Sequence, residues 1–147
     1  VPGINGGVVA PQLLGFHHVA VQTRDLPSAE RFYAGTLGLP VLTRWPEPDG
    51  SLRSVWLDTG SGAFLALEKA SPNARPAGSA RPFKDGHAGW HLVALRVAAS
   101  ERAAWREHLS AAGVPVEFES RWTLYVRDPD GNRVALSHHP DDAPPAG

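Results

Sequence analysis

The chain has 147 residues, a mass of 15.7 kDa, and 14 basic against 15 acidic side chains, for a net charge of −1. That length suits one domain or two small modules sharing a core, and the balanced charge excludes a protein built to neutralise phosphates, so no nucleic-acid partner is expected. With no cysteine in the chain, disulfides, thiolate nucleophiles, zinc ribbons and iron–sulfur clusters are excluded too.

Val1 to Leu14 is apolar but broken by Gly and Pro, which predicts an arm (1–14) laid over a surface. Phe16-His17-His18-Val19-Ala20-Val21 is a β-rich run. Asp25 is a good N-cap, Pro27 is tolerated in a first turn, and Ala29, Phe32, Tyr33 and Leu37 recur at helical spacing up to the stop at Gly38. Three short strands follow, at Val41–Trp45, Ser54–Asp58 and Ala63–Glu68, the last two joined through Gly60-Ser61-Gly62. Residues 69–90, rich in Pro, Ala and Gly, read as a long connection.

The second half repeats the order. His91–Val97 is a strand, Ser100 is placed to cap a helix carrying Trp105, Leu109 and Ala112 on one face, and Gly113 ends it. Strands at Val116–Phe118, Thr123–Arg127 and Arg133–Ser137 follow, the last two joined by Asp128-Pro129-Asp130-Gly131-Asn132, whose composition is that of a turn. His138 and His139 read as a surface pair, and residues 141–147 as a frayed tail. Ala20 lies 74 residues before Ala94, and Leu67 lies 69 before Leu136. The offsets drift only by loop lengths, so each half is one βαβββ unit, 15–68 and 91–138, inside one domain at 15–140. A period this long is not that of a solenoid. One sheet with one helix leaves a face bare, so two such sheets are expected to enclose a concave space for a small ligand.

Phe16 to Val41 (FHHVAVQTRDLPSAERFYAGTLGLPV), followed by Arg127 to Ser137 (RDPDGNRVALS), resembles the vicinal oxygen chelate superfamily of glyoxalase I, the bleomycin and fosfomycin resistance proteins and the extradiol dioxygenases. The resemblance spans about Phe16 to Pro140. It implies an α+β fold of two βαβββ modules forming a cupped mixed β-sheet with flanking helices, and a homodimer. The family's metal-dependent members take a His from the first strand and a Glu from the last strand of each module. Carried over, His18 falls on the first-module His, but Ala66, Leu92 and Ala135 fall on the other three positions. The resemblance therefore implies a metal-free small-molecule binder with no cofactor. The alternative is a lyase, transferase or dioxygenase holding one divalent cation (Mn, Fe, Ni or Zn) on His18, Glu68 and His91. That set needs a register slip at His91 and a carboxylate one strand repeat too far along at Glu68.

Alternation from Ala66 and from the DPDGN turn aims Trp56, Phe64 and Tyr125 at the concave face, where the small Ala66, Ala94 and Ala135 leave room. Arg96 and Arg127 are placed to offer guanidinium forks to an anionic group. The expected ligand contacts are His18, Trp56, Phe64, Glu68, Arg96 and Tyr125. Trp90 and the N-terminal arm are candidates for contact with a second chain. No apolar run approaches the length of a membrane span and no start resembles a signal peptide, so the expected address is cytoplasmic, without a membrane partner.

Overall fold

A computed structural model describes residues 9–74 and 88–145. The first eight residues of the arm, the middle of the connection (75–87) and the last two residues lie outside these. The elements run β1 (His18–Thr23), α1 (Leu26–Glu30), a π-helical turn (Arg31–Thr36), β2 (Val41–Pro46), β3 (Leu52–Gly60) and β4 (Ala63–Lys69). The order then repeats as β5 (Val93–Arg96), a 3-10 turn (Ala99–Glu101), α2 (Arg102–Ala111), β6 (Phe118–Glu119), β7 (Thr123–Arg127) and β8 (Arg133–Ser137). Two mixed four-stranded sheets result, ordered β1-β4-β3-β2 and β5-β8-β7-β6. In each, the first strand of the module pairs parallel with the last, and the other pairs are antiparallel. This is the expected α+β arrangement of two βαβββ modules.

The local chemistry explains most boundaries. The Ser28 backbone N–H donates to Asp25 Oδ1 at 3.1 Å, so Asp25 caps α1 as predicted. The predicted α-helix to Leu37 changes character halfway: Leu37 N–H donates to Phe32 O, five residues back, at 2.9 Å. A wider turn rotates successive residues by less, and the consecutive rings of Phe32 and Tyr33 are both buried. Gly38 leaves the turn at φ 78°, a conformation that disfavours any residue with a Cβ. The expected cap of α2 is corrected. Ser100 sits inside the 3-10 turn, and no side chain caps the helix. On α2 Leu109 is fully buried and Trp105 packs beside it, but Ala112 is exposed past the helix end. The strand expected at Val116–Phe118 is only Phe118–Glu119, because Val116 turns toward the core instead.

Alternate strand residues face one shared core. Val55, Leu57, Leu65 and Leu67 of the first sheet, and Leu124, Val126, Val134 and Leu136 of the second, cluster with Phe32, Tyr33 and Leu109. Burying a large aliphatic or aromatic side chain contributes about 1.5–3 kcal/mol, so this cluster is the main reason the modules stay together. The DPDGN turn adds a polar joint. The buried Tyr33 hydroxyl donates to Asp128 Oδ2 at 2.7 Å, and the Thr23 hydroxyl and Arg24 N–H donate to Asp130. Asp128 in turn accepts from the backbone N–H groups of Asp130 and Asn132 at 3.0 and 2.8 Å, as turn chemistry requires. His108 Nε2 lies 2.7 Å from Thr36 O and links α2 to the end of the π-helical turn.

The C-terminal expectations need correction. His138 is 3% exposed, not a surface residue like His139. Its N–H bonds Trp122 O, its Nδ1 meets Asp141 O, and Arg102 Nη1 lies 3.0 Å from its Nε2. With Arg102 able only to donate, Nε2 is the accepting nitrogen and Nδ1 carries the proton. Arg121 makes a two-pronged bond to Asp142, both contacts at 2.6 Å, so the start of the tail is tied down. No helix among the described residues is long and apolar enough to cross a membrane.

Candidate functional site

With one face of each sheet turned to the shared core, the opposite face is the one open for recognition. Register defines three rows across the open face of the first sheet. His18 pairs with Phe64 and Phe64 with Asp58; Ala20 pairs with Ala66, Ala66 with Trp56 and Trp56 with Thr43; Gln22 pairs with Glu68, Glu68 with Ser54 and Ser54 with Trp45. The rings do not fill one row. They step diagonally through all three. Trp56 stacks on Phe64 with centroids 4.4 Å apart, and Phe64 stacks on the His18 imidazole at 4.8 Å with planes 8° apart. Trp45 meets Trp56 edge-on at 5.3 Å. Beside this diagonal the floor is Ala20 and Ala66, with Glu68 and Gln22 exposed at its end. Aromatic walls over methyl groups, with few polar groups at the margin, suit a flat apolar ligand.

The second sheet presents the equivalent face. Ala94, Ala135 and Tyr125 share a row, and Tyr125 pairs with Phe118, whose ring centroid lies 5.2 Å away. Arg96, Ser137 and Thr123 form the next row, and Arg133 pairs with Arg127 in the third. Arg127 is engaged: its Nε donates to Glu117 Oε2 at 2.7 Å and its Nη1 to Gly131 O at 3.0 Å. Arg96 is exposed. Phe64, Trp56 and Glu68 thus have Arg133, Tyr125 and Ser137 as their counterparts at an offset of 69, and His18 has Leu92 at 74.

His18, Trp56, Phe64 and Glu68 therefore share one open face, while Arg96 and Tyr125 stand on the other sheet's. Sequence reasoning missed Trp45, Ser54 and Gln22. Alternation from Ala66 gives Ser54 the correct face, and only the pairing of β2 with β3 reveals Trp45 beside it. Ser54 is 5% exposed and its hydroxyl has no hydrogen-bond partner among the described residues.

A family metal would need donors that this geometry does not assemble. Ala66 and Ala135 lie buried mid-strand with methyl groups where carboxylates would be required. In the substitute set, His18 pairs with Phe64 and Glu68 with Gln22, four residues further along the same strands, a separation of about 13 Å. His91 stands before β5, where Arg133 Nη1 approaches its Nδ1 at 3.3 Å, a cation where the metal would sit. His17 and His18 turn their Nδ1 atoms toward each other at 2.8 Å. Among the described residues no group of three or more His, Asp or Glu side chains could hold a metal ion, so the residues present do not fit the group.

Residues 15–136 match the family described as the Glyoxalase/Bleomycin resistance protein/Dioxygenase superfamily. Among solved structures, a glyoxalase/dioxygenase from Nostoc punctiforme is similar with a TM-score of 0.75 and 20% identity, over 92% of this chain and 99% of that one. TnmS3, an antibiotic binding protein from Streptomyces sp. CB03234, has a TM-score of 0.63 and 23% identity, over 88% and 98% of the two chains. The fosfomycin resistance protein FosX from Listeria monocytogenes has 0.65 and 16%, over 86% and 92%. At these identities the likeness carries the fold alone. A comparison with curated proteins finds no match.

Proposed function

The chain belongs to the Glyoxalase/Bleomycin resistance protein/Dioxygenase superfamily, and within it we propose that it is a metal-free small-molecule-binding protein. The ligand is a flat, largely apolar molecule held against Trp56, Phe64 and Tyr125, with His18, Glu68 and Arg96 as polar contacts. One observation carries this reading: the stacked diagonal of His18, Phe64 and Trp56 runs beside Ala20 and Ala66, and Ala66 stands where the resemblance would put the family's metal carboxylate. Three aromatic faces held in register by strand pairing are preorganised, so little side-chain entropy is lost on binding. TnmS3, which is similar in fold, is an antibiotic binding protein, and this supports a binding role.

The working form in this reading is a cytoplasmic homodimer. Leu13 and Leu14 of the arm, Phe16 just after it and Trp90 are more than four-fifths exposed, and they lead into β1 and β5, which are edge strands of their sheets. Apolar side chains next to open strand edges are a surface for a second copy.

The test is ligand quenching of tryptophan fluorescence with planar aromatic compounds, in buffer containing EDTA. Quenching that survives the chelator and is lost in Trp56→Ala supports the binder. Stoichiometric uptake of Mn, Fe, Ni or Zn by the wild type, abolished in His18→Ala, overturns it.

A further inference from the structure

The open face of the first sheet has a sign as well as a shape. Across its three rows stand two carboxylates, Asp58 and Glu68, and no Lys or Arg. Asp58 is partly used, since Oδ1 accepts the Gly60 N–H at 2.8 Å to form the turn. Glu68 is exposed and makes no ion pair among the described residues. It sits in the row of Ser54 and Trp45, one step along from Trp56. Indole and phenyl faces carry negative quadrupole potential and attract cations, most strongly where water is displaced. A carboxylate beside such faces adds to the same field.

Ser54 supplies a second, independent indication. A buried hydroxyl without a partner costs about 1–3 kcal/mol, and native proteins keep few such groups without a use. The Ser54 oxygen is one of them, and it lies between Glu68 and Trp45 in register. A ligand N–H placed in that row would satisfy the hydroxyl, meet the carboxylate and leave its ring plane on the indoles.

We propose that this face takes a planar aromatic cation, an arylamine or protonated N-heterocycle, with its rings against Trp45, Trp56 and Phe64 and its positive N–H group between Glu68 and Ser54. The proposal rests on the binder reading above and specifies the charge of the ligand.

The experiment compares three tricyclic probes of similar shape by isothermal titration calorimetry on the full chain in EDTA: 9-aminoacridine (cation), 9-anthracenemethanol (neutral) and anthracene-9-carboxylate (anion). The expected result is that the cation binds at least about tenfold more tightly than the anion, with the neutral probe between them. Glu68→Gln, an isosteric change at an exposed site, collapses that spread to about twofold. Ser54→Ala weakens the cation by about threefold or more, with circular dichroism confirming that both variants are folded. Equal affinity for all three probes, tighter binding of the carboxylate, or a spread unchanged in Glu68→Gln overturns the charge assignment while leaving the binder reading intact. Failure of all three probes to bind overturns both.

Discussion

The two modules share one plan and differ in what they leave unfinished. In the second sheet two polar contacts of the open face stand out: the Thr123 hydroxyl donates to Ser137 Oγ at 2.9 Å, and Arg127 holds Glu117 and Gly131 O. At the matching positions of the first sheet, Ser54 and Glu68 are not bonded to each other, Ser54 Oγ has no partner, and the arginine counterparts are Phe64 and Asp58. The first sheet exposes stacked rings and a carboxylate beside the buried Ser54 hydroxyl, so a ligand of the proposed kind would lean more on the first module than on the second.

The largest expected effect concerns whether the two modules fold as one unit. Tyr33→Phe removes the hydroxyl that joins α1's extension to the DPDGN turn and should cost about 1–3 kcal/mol in urea unfolding, with one transition retained because the core cluster is shared. Two separated transitions in the wild type would mean that the modules fold independently. Burial, together with Asp128 and then Asp130, holds the Tyr33 phenol well above its usual ionisation range. The unfolded phenol ionises near pH 10, so this contribution is complete below that pH and is lost as pH rises beyond it. Alkaline destabilisation measured by circular dichroism should therefore be shallower in Tyr33→Phe. Next in size is the asymmetry of recognition. Trp56→Ala should weaken a planar aromatic ligand by about tenfold or more, about 1.4 kcal/mol, and its counterpart change Tyr125→Ala by less. Equal losses would mean that the two sheets share the ligand evenly.

Much of this was legible in the sequence, and the parts that were not share a cause. Offsets of 74 and 69 between matching residues give the module repeat, and strict alternation puts Trp56, Phe64, Ala66 and Ala135 on the right faces, because a strand's period of two cannot slip without exposing Val55, Leu57 or Leu65. The π-helical turn was hidden, since Phe32-Tyr33 reads as helix whichever way it is wound. Trp45 was missed because β2 carries two register shifts against β3, which counting along the chain cannot foresee. His138 was misplaced because its burial depends on Arg102 and Trp122, distant in sequence.

A smaller pair of changes sharpens the contrast in polar satisfaction. Ser54→Ala removes an unpartnered buried hydroxyl and should leave thermal stability unchanged or raise it by up to about 1 kcal/mol. Thr123→Ala breaks a made hydrogen bond and should lower stability by about 0.5–1.5 kcal/mol. Thr123→Ala also removes a methyl group, so the hydroxyl's share is read from Thr123→Val, which keeps the side chain's size. Equal losses would mean that Ser54 finds a partner in solution and is not held in reserve.

The smallest effect concerns the tail that follows the second module. The bond to Arg121, then its charge, pulls the Asp142 carboxyl below its ordinary value of 3.8, and the partners are solvent-exposed, so screening keeps the gain small. A lowered folded value means that the contribution is present above the unfolded pKa and fades as pH falls through the folded one. Arg121 also lies over the Trp122 ring, 5.1 Å from its centroid. As pH falls through that lowered folded value the freed guanidinium and tail should move, and the Trp122 indole N–H resonance should shift in NMR spectra. Asp142→Asn should abolish that acid shift while leaving ligand affinity on the first sheet untouched, because the strap ties down the tail of the second module and includes none of the proposed ligand contacts.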